Sequence, residues 1–139
     1  VFHAKAPRKK DAKKMTENEI SKVVVDLCFK IHKQYGPGLF ESVYEELFCY
    51  ELGKTGLRFK RQHPVPLIHE EVKMEVGFRA DVIVEDKVIV ELKSVEALAD
   101  IHYKQVQTYL KLSDCKLGLL INFNVPLIKT GIHRIVNNL

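Results

Sequence analysis

No apolar run in the 139 residues approaches the ~18 that a membrane-spanning helix needs. No charged-then-apolar leader pattern is present. Cysteine is scarce: Cys28, Cys49 and Cys115 are odd in number, far apart, and without a CxxC. That pattern predicts free thiols in a reducing compartment, so the expected location is cytoplasmic. The six histidines show no ligand spacing, and "HEE" at 69–71 is not HExxH. "GPG" at 36–38 lacks the Lys-Ser/Thr of a phosphate loop. No Ser-His-Asp or Cys-His arrangement is apparent, and there is no repeat or low-complexity block.

What remains is an ordinary globular composition, 46% apolar and 29% charged. The length suits one domain with a real core. The net charge of +4 is unevenly spread. Residues 1–14 carry six Lys and Arg against Asp11, so the rest of the chain sums to −1. Residues 1–15 therefore read as a basic flexible tail, either a loose holder of phosphate backbones or a solvated extension. Residues 16–139 read as a single domain.

Thr16 and Glu19 form a capping box ahead of Ile20, Val24, Leu27, Cys28 and Ile31, whose spacing is helical. This helix is expected to end near Tyr35, before the glycines. A second helix is expected over 39–52. "FKRQHPVPLI" reads as a strand with an irregular or edge character from its prolines. "EVKMEVGFRADVIV" reads as the next, bent at Gly77. "EDK" at 85–87 is a turn, and "VIVELK" pairs back as a hairpin. A helix over 98–112, a buried strand "KLGLLINF" and a short final strand in "KTGIHRIV" complete the chain. After the first helix the order is α-β-β-β-α-β, an α/β (α+β) arrangement with a mixed sheet.

The hairpin carries an unusual feature. In "VIVELK" the apolar run reads as a strand covered on both faces. Yet Glu91 and Lys93, two apart, share a face with Ile89. With the turn centred on 86, Asp81 on the preceding strand falls opposite Glu91. Neighbouring strands lie about 4.8 Å apart, so two carboxylates become neighbours, with Lys93 one step along. Like charges that close are costly to bury. A Mg²⁺ ion held by one or two carboxylates, water and phosphate oxygens resolves the conflict. Lys93 can then activate a water or stabilise phosphate charge. The plainer alternative is a salt bridge on an edge hairpin. Glu41, Tyr44 and Glu45 share one helical face, and so do Gln105 and Tyr109. For these the plain readings are a favourable acid in a first turn, a boundary hydrogen bond and a packed ring. Lys54, Arg58, Lys60 and Arg61 read as a solvated loop or a phosphate patch.

"GLFESVY" at 38–44 matches G-x-x-E-x-x-Y, and the chain from about residue 17 to 139 resembles the GxxExxY protein family. "RADVIVEDKVIVELKSVEAL", "QVQTYLKL" and "GLLINFNVPLIKTGIHRIVN" carry the same resemblance. That family is similar to the PD-(D/E)XK nuclease superfamily, with a restriction-endonuclease-like α-β-β-β-α-β core; here an extra helix precedes it. The resemblance implies that Asp81, Glu91 and Glu41 hold Mg²⁺ or Mn²⁺ with the Leu92 carbonyl. It makes Glu91-Leu92-Lys93 the E-x-K and Lys93 the catalytic cation. It makes Gln105, with Tyr109, the Q-x-x-x-Y that orients the site. Ala80 stands where many members have proline. Arg79, Tyr44 and Tyr109 are the expected nucleic-acid contacts.

The implied function is a divalent-metal-dependent nuclease acting on DNA, working as a homodimer. The alternative is an inactive nuclease-fold module that binds nucleic acid or a protein partner. The near-neutral body favours the alternative slightly, and the full acid–acid–lysine set favours the enzyme. A carboxylate-pair glycosidase leaves Lys93 without a role.

Overall fold

A computed structural model describes residues 15–75 and 77–139. The basic tail expected over residues 1–15 lies outside them, apart from Met15. The elements are α1 (Glu17–Tyr35), α2 (Glu41–Gly53), β1 (Phe59–Pro64), β2 (Leu67–His69), β3 (Val72–Met74), β4 (Arg79–Val84), β5 (Val88–Lys93), α3 (Asp100–Ser113), β6 (Leu117–Asn122), a 3₁₀ turn (Ile128–Gly131) and β7 (Ile132–Val136). The Thr16–Glu19 capping box forms as expected, with Glu19 N–H donating to Thr16 Oγ1 and Thr16 N–H to Glu19 Oε1.

Five strands make one sheet in the order β1-β4-β5-β6-β7. β5 and β6 are parallel and the other pairs antiparallel. The parallel step needs a crossover, which α3 supplies. Alternation on β5 splits its side chains between two cores. Val88, Val90 and Leu92 face α1 and α2, against Ile20, Val24, Tyr44 and Phe48. Ile89 faces α3, against Val106, Tyr109 and Leu110. Helices on both faces explain why β5 is buried at nearly every position. Gly118 in β6 lets α3 sit close, since a Cβ there would fall 2.6 Å from Val106 Cγ1.

Two expected long strands are each broken. The first ends at Pro64, and the second stops at Met74 and resumes at Arg79. Among the described residues the pieces between, β2 and β3, pair only with each other. Pro64 and Pro66 lack the N–H that a continuous ladder requires. Gly77 adopts φ +70°, a left-handed turn that redirects the chain into β4. The last strand is shorter than "KTGIHRIV", because Ile128–Gly131 forms the 3₁₀ turn first. Among the described residues no helix is long and apolar enough to cross a membrane.

Candidate active site

The β4–β5 ladder runs Val84↔Val88, Ile83↔Ile89 and Val82↔Val90, then stops. Asp81 and Glu91 do face each other, but not as ladder partners. Asp81 N–H donates to Glu91 Oε2 at 2.6 Å, and Leu92 N–H donates to Asp81 Oδ2 at 2.9 Å. Each carboxylate accepts from an amide of the opposite strand, where a carbonyl would otherwise do so. The strands part there, and two acids stand in the gap.

Glu91 is only 3% exposed. Burial, and next the charge of Asp81, push its carboxyl up to about 8, against the pull of the Asp81 N–H and Lys93. Asp81 is raised as well, first by burial, with Glu45 and Glu41 adding to it and the Leu92 N–H and Lys93 opposing. Near pH 7 the pair therefore retains a proton. Lys93 closes β5, half-buried, and its ammonium acts on both acids. Its own carbonyl accepts Phe123 N–H of the β6 side at 2.9 Å. Leu92, one residue back, therefore turns its N–H and C=O toward the β4 gap.

Glu41 opens α2 and its Oε2 lies 3.4 Å from the Ser94 N–H, directly after Lys93. Its charge reaches both Asp81 and Glu91. Among the described residues, however, no three His, Cys, Asp or Glu side chains converge closely enough to ligate one ion. The expected three-acid set is thus present as a close pair with Glu41 standing off. From the other face, burial first and the charge of Glu91 next raise the Tyr109 hydroxyl, with Asp81 adding, while the Arg79 backbone and the Gln105 side chain pull it down. Gln105 thus reaches the site through Tyr109. The Arg79 side chain donates to the Gln62 carbonyl at 3.2 Å.

Two expected nucleic-acid contacts are corrected. Tyr44 is fully buried and stacks on Phe123 with centroids 4.3 Å apart. Tyr109 is 3% exposed. Neither ring is open to a strand. Tyr44 instead clamps the loop before α2: its hydroxyl donates to Gly36 O at 2.6 Å and accepts from Leu39 N–H at 3.2 Å. Gly36 and Gly38 take φ of +68° and +103° within that loop, a conformation that suits glycine. The Gly38, Glu41 and Tyr44 of the motif are therefore one device that fixes where Glu41 sits. Tyr44→Phe is expected to keep the stack but strip two backbone groups of their partner. It should lower stability by about 1–2 kcal/mol, read by urea unfolding.

The supposed phosphate patch is neutralised, because its cations meet acids brought near by the fold. Arg58 pairs with Glu85, Lys60 with Asp86, and Lys54 with Glu51. Arg61 bridges Glu45 at 2.9 Å and Glu46 at 2.8 Å. Gln62, which no sequence pattern singled out, takes φ +47° inside β1. Its side chain donates to Glu45 Oε1 at 2.7 Å and Asp81 Oδ1 at 3.3 Å. Between α2 and β1 lies an open cleft of about 780 Å³, lined by Phe40, Glu41, Glu45, Arg61, Gln62 and Asp81 among others.

Over residues 18–135 the chain matches the PD-(D/E)XK nuclease superfamily. It belongs to that superfamily. No curated protein and no solved structure gives a significant match. The mixed sheet between helices is consistent with the superfamily's nuclease-like fold. Superfamily membership suggests nuclease activity and implies a nucleic-acid substrate, and PD-(D/E)XK nucleases generally use divalent metal ions. The residues here suit such an ion. Asp81 and Glu91 are two hard oxygen donors, desolvated and mutually repulsive, and a cation between them would relieve that repulsion.

Proposed function

We propose that the chain is a divalent-metal-dependent nuclease that hydrolyses phosphodiester bonds in DNA. The observation that carries this reading is the Asp81–Glu91 pair at a parted strand end, Glu91 buried and Asp81 half-buried, with Lys93 beside it. A structural salt bridge needs one acid, not a second one whose charge raises the first, as Asp81 does to Glu91. Asp81 and Glu91 would hold Mg²⁺ or Mn²⁺, with the Leu92 carbonyl aimed at the same gap and Glu41 adding its charge from α2. The ion would neutralise phosphate charge and lower the pKa of a water. Lys93 supplies the mobile cation that orients the attacking water or stabilises the developing oxyanion. Gln105 would act on the acids through the Tyr109 hydroxyl, and Arg79 stands at the start of β4, where phosphates would pass.

The net charge of −1 over residues 15–139 supports a second reading, a binding module that does not cut. Labelled single-stranded, duplex and branched DNA, and RNA, incubated with Mg²⁺, Mn²⁺ or EDTA, separate the two. Cutting that needs the metal and stops with EDTA is the expected result. Binding without cutting on every substrate would favour the module.

A further inference from the structure

We propose that Phe40 is a platform on which an unpaired base stacks, so that the site takes single-stranded or locally frayed nucleic acid. This rests on the nuclease reading and adds the state of the substrate to it. Phe40 is 80% exposed, the most exposed of the large apolar side chains among the described residues. It also occupies the N-cap of α2, where it makes no side-chain cap hydrogen bond and where Ser, Thr, Asp or Asn is the stabilising choice. The fold thus gains nothing from the ring on either count. Such local rule-breaking concentrates at functional sites.

Its position gives it a use. Phe40 lies on the rim of the cleft that holds Glu41 and Asp81. The mount is rigid. Leu39 N–H is held by Tyr44, and Leu39 O accepts from Ser94 Oγ at 2.7 Å. Phe40 O accepts from Val43 N–H and Tyr44 N–H at 3.0 and 3.2 Å. Ser94 directly follows Lys93, so the ring is tied to the strand end that carries the lysine.

Charge points the same way. The cleft wall adds Glu41, Glu45 and Glu46 to Asp81, and Arg61 is held in ion pairs with Glu45 and Glu46. This wall repels phosphate, whereas the face of a base carries no charge and can still bind. Bases stack on exposed aromatic rings without regard to sequence. Within a duplex those faces are already covered by neighbouring bases, so the platform selects strands that are open.

The chain has no tryptophan, so Phe40→Trp is a single fluorescent reporter. It is placed in a Lys93→Ala background with EDTA, so that no cutting occurs. It is then titrated with single-stranded DNA, the same sequence as RNA, and the blunt DNA duplex. The expected result is quenching by the single strands and at least about 10-fold weaker binding of duplex. In parallel, Phe40→Ala, checked for an unchanged unfolding midpoint, should weaken single-strand binding by about 10- to 100-fold and leave duplex binding alone. Binding that leaves tryptophan emission unchanged, or that Phe40→Ala does not weaken, would overturn the platform, as would no binding at all. Failure of the nuclease reading is visible separately: Phe40→Trp in EDTA would still quench and bind single strands, while wild type would cut nothing in Mg²⁺.

Discussion

Replacing Lys93 with alanine is expected to lower the rate of hydrolysis by about 10²- to 10⁴-fold. The side chain is half-buried at the end of β5 and belongs to neither apolar core. Its removal should therefore leave the fold intact. Two effects add. The cation that orients water or meets the oxyanion is gone. The acids also lose the neighbour that lowers their pKa, so both rise further and resist the ionised state that a metal needs. Raising the pH restores the ionised acids but not the cation. Activity of Lys93→Ala should thus recover only in part between pH 7 and 9. Lys93→Arg keeps the charge with a different shape and should fall between the two. Single-turnover rates across this pH range check the point. A variant within a few-fold of wild type at every pH would remove Lys93 from the mechanism.

Glu91→Gln should stabilise the metal-free protein above neutral pH while abolishing hydrolysis. The folded-state pKa of Glu91 is raised to about 8, from an ordinary value of 4.5. A raised group contributes stability that is fully present below the ordinary pKa. That contribution is lost as pH rises through the folded value. Glutamine does not titrate, and its amide oxygen can still accept the Asp81 N–H. In EDTA the two proteins should therefore match near pH 4.5. By pH 8.5 the variant should lead by roughly 2–4 kcal/mol, measured as the difference in urea unfolding. A stability difference that does not change with pH would mean that Glu91 is not the strained acid. Greater stability with lost activity is the trade-off expected where a site stores charge repulsion.

The sequence made the acid pair legible through two simple rules. Hairpin symmetry about residue 86 set Asp81 against Glu91, and alternation set Lys93 on the same face as Glu91. The capping box placed the start of α1, and the glycines after Tyr35 placed its end. Helical spacing grouped Glu41, Tyr44 and Glu45, but spacing does not say which side of a helix meets the core. Tyr44 is therefore buried, where a surface contact was expected. The same limit applied to Tyr109. Arg61 pairs with acids 15 and 16 residues away, and nothing local encodes such a partnership. Nor could periodicity show that the ladder ends at Val82↔Val90. That ending depends on the carboxylates capturing the Asp81 and Leu92 amides, which is a tertiary choice. The break between β1 and β2 was half-visible in Pro64 and Pro66, but not the separate pairing of β2 with β3.

Calorimetric titration with Mn²⁺ at pH 7 tests most directly whether Asp81 and Glu91 are a metal-holding pair. Run in buffers of different ionisation enthalpy, it counts the protons released. Wild type should bind the ion and release protons, because the acids hold one at that pH and must give it up. Glu91→Gln should bind far more weakly. No binding by wild type, or equal binding by Glu91→Gln, would contradict the metal site.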